Sequence, residues 1–97
     1  MEIKYIKISD YCNNTQIERT FISDLQEEGI LALHQIDEED FIEEEHLKEL
    51  EKYIRWHYDL GINLAGIDAM RHMLDKMQLM EREIQSLKSS LRFFDKD

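Results

Sequence analysis

Apolar side chains recur at helical spacing in three stretches of this chain and at shorter, irregular spacing between them. Over residues 17–28, Ile17, Phe21, Ile22 and Leu25 fall on one helical face. Gly29 follows as the left-handed residue that ends a helix. Upstream, residues 3–8 mix apolar and charged positions and read as a strand or an extended lead-in. Ser9 or Asp10 is placed to cap a very short helix carrying Tyr11 and Cys12, with Asn13, Asn14 and Thr15 as a turn. Helix, tight turn, second helix and glycine outline a helix-turn-helix.

Beyond Gly29, Ile30-Leu31-Ala32-Leu33 is an apolar run too short for a helix, and Phe41-Ile42 is another. Asp37-Glu38-Glu39-Asp40 lies between them, so two short strands joined by a polar tip are expected as a wing. Residues 45–60 predict a helix with Leu47, Leu50, Ile54 and either His57 or Tyr58 on one face. Tyr53, Trp56 and Leu60 form a second apolar face, the pattern of a helix clamped between two partners. Gly61 ends that helix, and Asn63 caps the next.

The clearest period lies in the last helix, expected over residues 64–94. Met70, Met73, Met77, Met80, Ile84, Leu87, Leu91 and Phe94 alternate in steps of three and four, with no polar residue at these positions. That is a coiled-coil seam, and it points to a homodimer. Lys76 with Glu81, and Glu83 with Lys88, flank the seam with opposite signs and suit a parallel pair without excluding an antiparallel one. The rival reading folds the seam back onto the preceding domain. The methionines also offer an adaptable binding surface, but their register makes a coiled-coil core the simpler reading. The whole pattern is mainly α: an acidic winged helix-turn-helix domain over residues 1–63 with a small β-wing, then a long coiled-coil helix over residues 64–97.

Charge sharpens this division. The net charge is −10, and residues 1–63 carry all of it, with 16 acidic against 6 basic side chains; residues 64–97 carry 6 of each. A nucleic-acid binder needs a basic footprint, so DNA is disfavoured and a basic partner is favoured. The plainer alternative is that the acids only keep a small protein in solution. No apolar run is long enough to span a membrane, no secretory leader is expected, and a lone cysteine, Cys12, fits a reducing compartment. Cytoplasm is the expected location.

The segment from Arg55 through Asp59-Leu60-Gly61-Ile62-Asn63 to Ile67 resembles the hinge between core and dimerisation helix in the MerR family. Upstream, Thr15-Gln16-Ile17-Glu18 and Gly29-Ile30-Leu31 match that family's helix-turn-helix in spacing, although Gln16 stands where a turn glycine is usual. The resemblance implies a MerR-like head, but DNA-binding relatives carry an Arg-Tyr-Tyr cluster where this chain has Ser23, Asp24 and Leu25. An aspartate facing phosphate is unfavourable.

One branch fits the change. The chain looks like the chaperone-modulator family, small MerR-like proteins that bind and inhibit the J-domain of a DnaJ-like co-chaperone. The opening Ile6-Lys7-Ile8-Ser9-Asp10-Tyr11-Cys12, the lost Arg-Tyr-Tyr cluster and the short leucine-bearing tail carry this likeness. It implies occlusion of a basic J-domain helix, with Asp24, Glu27 and Glu28 as close contacts and Asp37, Glu38, Glu39 and Asp40 supplying long-range attraction. The alternatives are a MerR-type DNA-binding transcriptional regulator, and a scaffold whose coiled coil is the functional element.

Little in the sequence points to chemistry. Cys12, Ser9, Ser23 and Ser86 lie beside no identifiable base, and no glycine-rich phosphate loop is present. His34, His46, His57 and His72 show no short ligand spacing, so no metal site, cofactor or catalytic residue is expected. Tyr53 and Trp56 read either as interface anchors or as core side chains.

Overall fold

The computed structural model describes the backbone of residues 2–95 and the side chains of residues 2–93. The elements in chain order are β1 (Tyr5–Lys7), α1 (Ile8–Thr15), α2 (Arg19–Glu27), β2 (His34–Ile36), β3 (Glu39–Glu43), a 3-10 turn (Glu44–His46), α3 (Leu47–Tyr58) and α4 (Leu64–Asp95). The chain divides into two compact units, the first ending at Ile67 and the second starting at Asp68. No helix among the described residues is long and apolar enough to cross a membrane.

Three of the four residues spaced for a helical face form one, while Ile17 lies before the start of α2 and packs against the core from outside it. Phe21, Ile22 and Leu25 of α2 are buried with Ile8 and Cys12 of α1, Leu50 and Tyr53 of α3, Ile42 of β3 and Ile67 in the first turn of α4. The short helix α1 is longer than its sequence suggests. It begins directly from β1 at Ile8, with Lys7 at the N-cap position and no side-chain cap, so Ser9 and Asp10 lie inside it. Asn13, Asn14 and Thr15 form its last turn and not a loop, and Thr15 Oγ1 donates to the Tyr11 carbonyl at 2.6 Å. The reversal falls instead on Gln16, a non-glycine residue at φ 59°.

The apolar run after Gly29 is not a strand. Ile30 and Leu31 both donate to the Leu25 carbonyl, at 2.9 and 3.2 Å, while the Gly29 N–H reaches the Gln26 carbonyl at 3.0 Å. With Gly29 at φ 73°, this closes α2 in a Schellman-type turn and drives Ile30 and Leu31 into the core. The wing's first strand comes later, at His34–Ile36. Its partner β3 is the centre of a three-stranded antiparallel sheet ordered β1-β3-β2. The hairpin closes in two residues, Asp37 and Glu38, at φ 50° and 65°. Glu39 and Asp40, expected at the tip, are therefore strand residues.

Helix α3 buries Leu50 and Tyr53, with Ile54 and Trp56 partly buried against the same core. Leu60 departs from its expected place on a second apolar face: it sits in the turn after α3 and is 64% exposed. Gly61, at φ 67°, turns the chain, and Asn63 Oδ1 accepts the Gly66 N–H at 2.8 Å to cap α4. A Cβ at position 66 would meet Ile62 Cγ2 at 2.7 Å, so any larger residue there would force the Ile62 side chain to shift. Within α4, Met73, Met77, Met80, Ile84, Leu87 and Leu91 are all exposed, and Met70 is half-buried. The side chain of Phe94 lies outside the described residues.

Gln16 gives a direct check on this backbone. A left-handed conformation costs a non-glycine residue on the order of 1 kcal/mol. Gln16→Gly should raise the urea midpoint at fixed protein concentration by the equivalent of about 0.5–1 kcal/mol, with no change in far-UV circular dichroism.

Candidate protein-binding surface

The acidic residues divide into three groups according to what surrounds them. Asp24, Glu27 and Glu28 sit at the C-terminal end of α2, all exposed, and none is paired with a cation among the described residues. Asp24 is three and four residues from the other two, so the three carboxylates share one side of the helix end. This is the negative pole of the helix dipole, and no basic residue occupies the last turn to offset it. Like charges therefore concentrate there at a cost to the isolated head.

The second group is the wing turn. Asp37 and Glu38 are exposed, both at positive φ where glycine or asparagine is usual in a two-residue hairpin. The third group is neutralised. Asp40 accepts a charge-assisted hydrogen bond from Arg19 Nη2 at 2.6 Å, and Glu39 lies 3.8 Å from Lys7 Nζ. Strand register explains the split. Asp40 shares the face of the buried Ile42, toward α2, while Glu39 faces the other way beside Lys7, whose partner in register is Phe41.

The seven candidate acids are thus not gathered into one patch. Arg19 anchors Asp40 at the start of α2, whereas Glu27 and Glu28 lie about 12–14 Å further along the helix axis at its other end. Of Ser23, Asp24 and Leu25, Leu25 is fully buried, Ser23 is half-buried and only Asp24 faces solvent. Arg19, the one basic residue of α2, is engaged by Asp40. The sequence did not reveal this bond, because positions 19 and 40 lie 21 residues apart and meet only when α2 packs beside β3.

Tyr53 is 3% exposed and belongs to the core. Trp56 is half-buried, tilted against Tyr53 with ring centroids 5.7 Å apart, and Lys52 Nζ lies 5.4 Å from the centroid of the Trp56 ring. His57 stacks on Phe21 at 4.5 Å, and its Nδ1 lies 2.9 Å from the Ile62 carbonyl. These aromatic side chains hold the end of α3 against α2. Cys12 is also a core residue, and burial raises its thiol pKa, with Arg19 opposing more weakly. Burial likewise raises the Tyr11 hydroxyl, with the charge of Glu51 acting in the same direction.

A helix-turn-helix, a three-stranded wing and a long helix entered through a glycine turn and an asparagine cap are now in place. A family model described as a MerR HTH family regulatory protein matches residues 6–89. The chain belongs to this family. The match runs from β1 well into α4, so it covers the head and most of the long helix. No curated protein and no solved structure matches the chain. Membership makes the protein a member of a family of regulators, and within that family its α2 surface is acidic.

Proposed function

We propose that this MerR-family protein is a non-enzymatic chaperone modulator of the cytoplasm, which binds the J-domain of a DnaJ-like co-chaperone and occludes it. The observation that carries the reading is the set Asp24, Glu27 and Glu28, three exposed carboxylates without cationic partners among the described residues, at the negative end of α2. A basic helix laid against them would relieve their mutual repulsion and be attracted by the helix dipole. The resemblance to chaperone modulators supplies the partner class, because J-domains present a basic helix to Hsp70. Covering that helix blocks the Hsp70 encounter without making or breaking a bond.

Asp37 and Glu38 project charge from the wing and serve approach more than contact. Glu39 and Asp40 belong to the same acidic field, but their pairing with Lys7 and Arg19 lowers their share of it. A homodimer completes the reading. The exposed seam from Met73 to Leu91 offers a second copy of α4 a continuous apolar stripe, with Met70 and Phe94 at its ends in sequence.

A second reading follows from family membership itself, namely a MerR-type DNA-binding transcriptional regulator. Salt dependence separates the two, since neutralising phosphates makes DNA affinity fall steeply with salt.

Calorimetry against the J-domain encoded nearest this protein tests the first reading. Reversing charge with Asp24→Lys, Glu27→Lys and Glu28→Lys together should weaken binding by about 2–5 kcal/mol at unchanged helicity. Asp37→Lys with Glu38→Lys should mainly slow association and flatten its salt dependence. Full-strength binding by the α2 variant would reduce the acidic surface to a solubility device. Specific duplex binding at physiological salt would favour the DNA reading.

The seam is tested by mass in solution. At tens of micromolar the protein should sediment as a dimer, and Ile84→Asp with Leu87→Asp should give a monomer, because each copy would place charge in an apolar seam. A monomeric wild type would remove the homodimer from the reading.

A further inference from the structure

His34, Glu43, Glu45 and His46 meet at the open end of the hairpin. His34 stands opposite Phe41 in the β2–β3 register, and Glu43 follows two residues along β3. Side-chain alternation therefore puts His34 and Glu43 on the same sheet face as diagonal neighbours. His34 Nε2 lies 3.2 Å from Glu43 Oε1. The chain then enters the 3-10 turn, whose three-residue repeat returns His46 to Glu43, with Nδ1 3.8 Å from Oε2. Glu45 Oε1 lies 3.7 Å from His46 Nε2. One ligand atom each from Glu43, Glu45 and His46 all fall within 4.8 Å of one another.

We propose that Glu43, Glu45 and His46 are the ligands of a divalent transition-metal site of the zinc class, and that His34 is a positioning residue holding the second oxygen of Glu43. Zinc takes imidazole nitrogen and carboxylate oxygen at about 2.0–2.2 Å, which puts neighbouring ligand atoms about 3.3 Å apart around one tetrahedral ion. One atom from each ligand lies within 4.8 Å of the others. Because an imidazole gives a single nitrogen to an ion, Glu45, now at the Nε2 edge of His46, must turn to share one edge of the ring with Glu43. The mixed nitrogen–oxygen set selects zinc and its neighbours over magnesium or calcium, which take oxygen ligands.

The surroundings suit this use. Glu43 is the sheltered member, its side chain 16% exposed, while Glu45, at 76%, stands in solvent. The Tyr5 ring closes edge-on to His34 at 5.2 Å and fixes its plane. An outer partner that orients a ligating carboxylate is the usual device of protein metal sites. A bound ion would neutralise two carboxylates of the acidic head. It would also tie β3, through Glu43, to the start of α3, through His46, so that loading stiffens the wing.

Zinc titrated calorimetrically into the metal-free full chain should bind at one ion per chain. Glu43→Gln and His46→Gln should each weaken that binding by about tenfold or more, and His34→Phe by about 10–100-fold, while His72→Gln on α4 leaves it unchanged. Zinc should also raise the melting temperature of the wild type and not of His46→Gln. Circular dichroism of each metal-free variant must match the wild type, and with two independent ligand variants the site stays testable if one misfolds. Cobalt substitution supplies a spectroscopic reading: weak visible bands without thiolate charge transfer are expected, and they should vanish in His46→Gln. No binding at millimolar zinc would overturn the site, as would undiminished binding by folded Glu43→Gln and His46→Gln. A strong thiolate charge-transfer band would also overturn it, by assigning the ion to Cys12. Undiminished affinity in His34→Phe would remove the positioning role.

Discussion

The carbonyl oxygen of Leu25 accepts the N–H groups of Ile30, at 2.9 Å, and Leu31, at 3.2 Å, and the head is arranged around that convergence. Leu25 itself is fully buried, so the same residue fills the core and terminates α2. Ending the helix there, with Gly29 in the left-handed conformation, sends Ile30 and Leu31 back under α2. The chain then leaves toward His34 in position to form the hairpin with β3, which carries the buried Ile42. It also leaves Asp24, Glu27 and Glu28 outside, around the closed helix end. Continuing α2 by another turn would bury neither isoleucine nor leucine in the same place.

Electrostatics at the end of α2 and backbone strain in the wing turn both run against stability. Three carboxylates at the C-terminal pole of α2 oppose the helix dipole. Asp37 and Glu38 hold left-handed conformations that glycine would adopt with less strain. Strain that persists where a simpler residue would relieve it tends to accompany a use for the side chain. The opposite treatment of Asp40 supports this contrast. Its carboxylate is matched by Arg19 at 2.6 Å, and the pair links the wing to the start of α2. One acid thus fastens the head together, while others remain available to an outside cation.

Much of the helical frame was legible because burial and period coincide. Phe21, Ile22 and Leu25 at helical spacing, the stops at Gly29 and Gly61, and the Asn63 cap each depend on local geometry that a sequence displays. The wing was legible in kind but displaced in place. Ile30-Leu31-Ala32-Leu33 is apolar because Ile30 and Leu31 return to the core from a helix end, while the true strand, His34–Ile36, is short and exposed. Its turn uses Asp37-Glu38, which lacks the glycine that marks such a hairpin. Helix α1 likewise begins without a capping side chain, so no residue announced its start at Ile8. The acidic character of the surface could be counted in advance. Its partition could not, because the Arg19–Asp40 bond depends on how α2 packs against β3, and the meeting of His34 with Glu43 depends on strand register.

The claim that the end of α2 grips a basic helix is tested most directly by mapping the contact on the intact protein. The chain, labelled with nitrogen-15, would be titrated with the unlabelled J-domain of the co-chaperone encoded nearest to it, and amide shifts followed by NMR. Shifts and line broadening should be largest around Asp24, Glu27 and Glu28, weaker at Asp37 and Glu38, and small at the Arg19–Asp40 pair. No perturbation at saturating J-domain, or perturbation centred away from the end of α2, would contradict the claim.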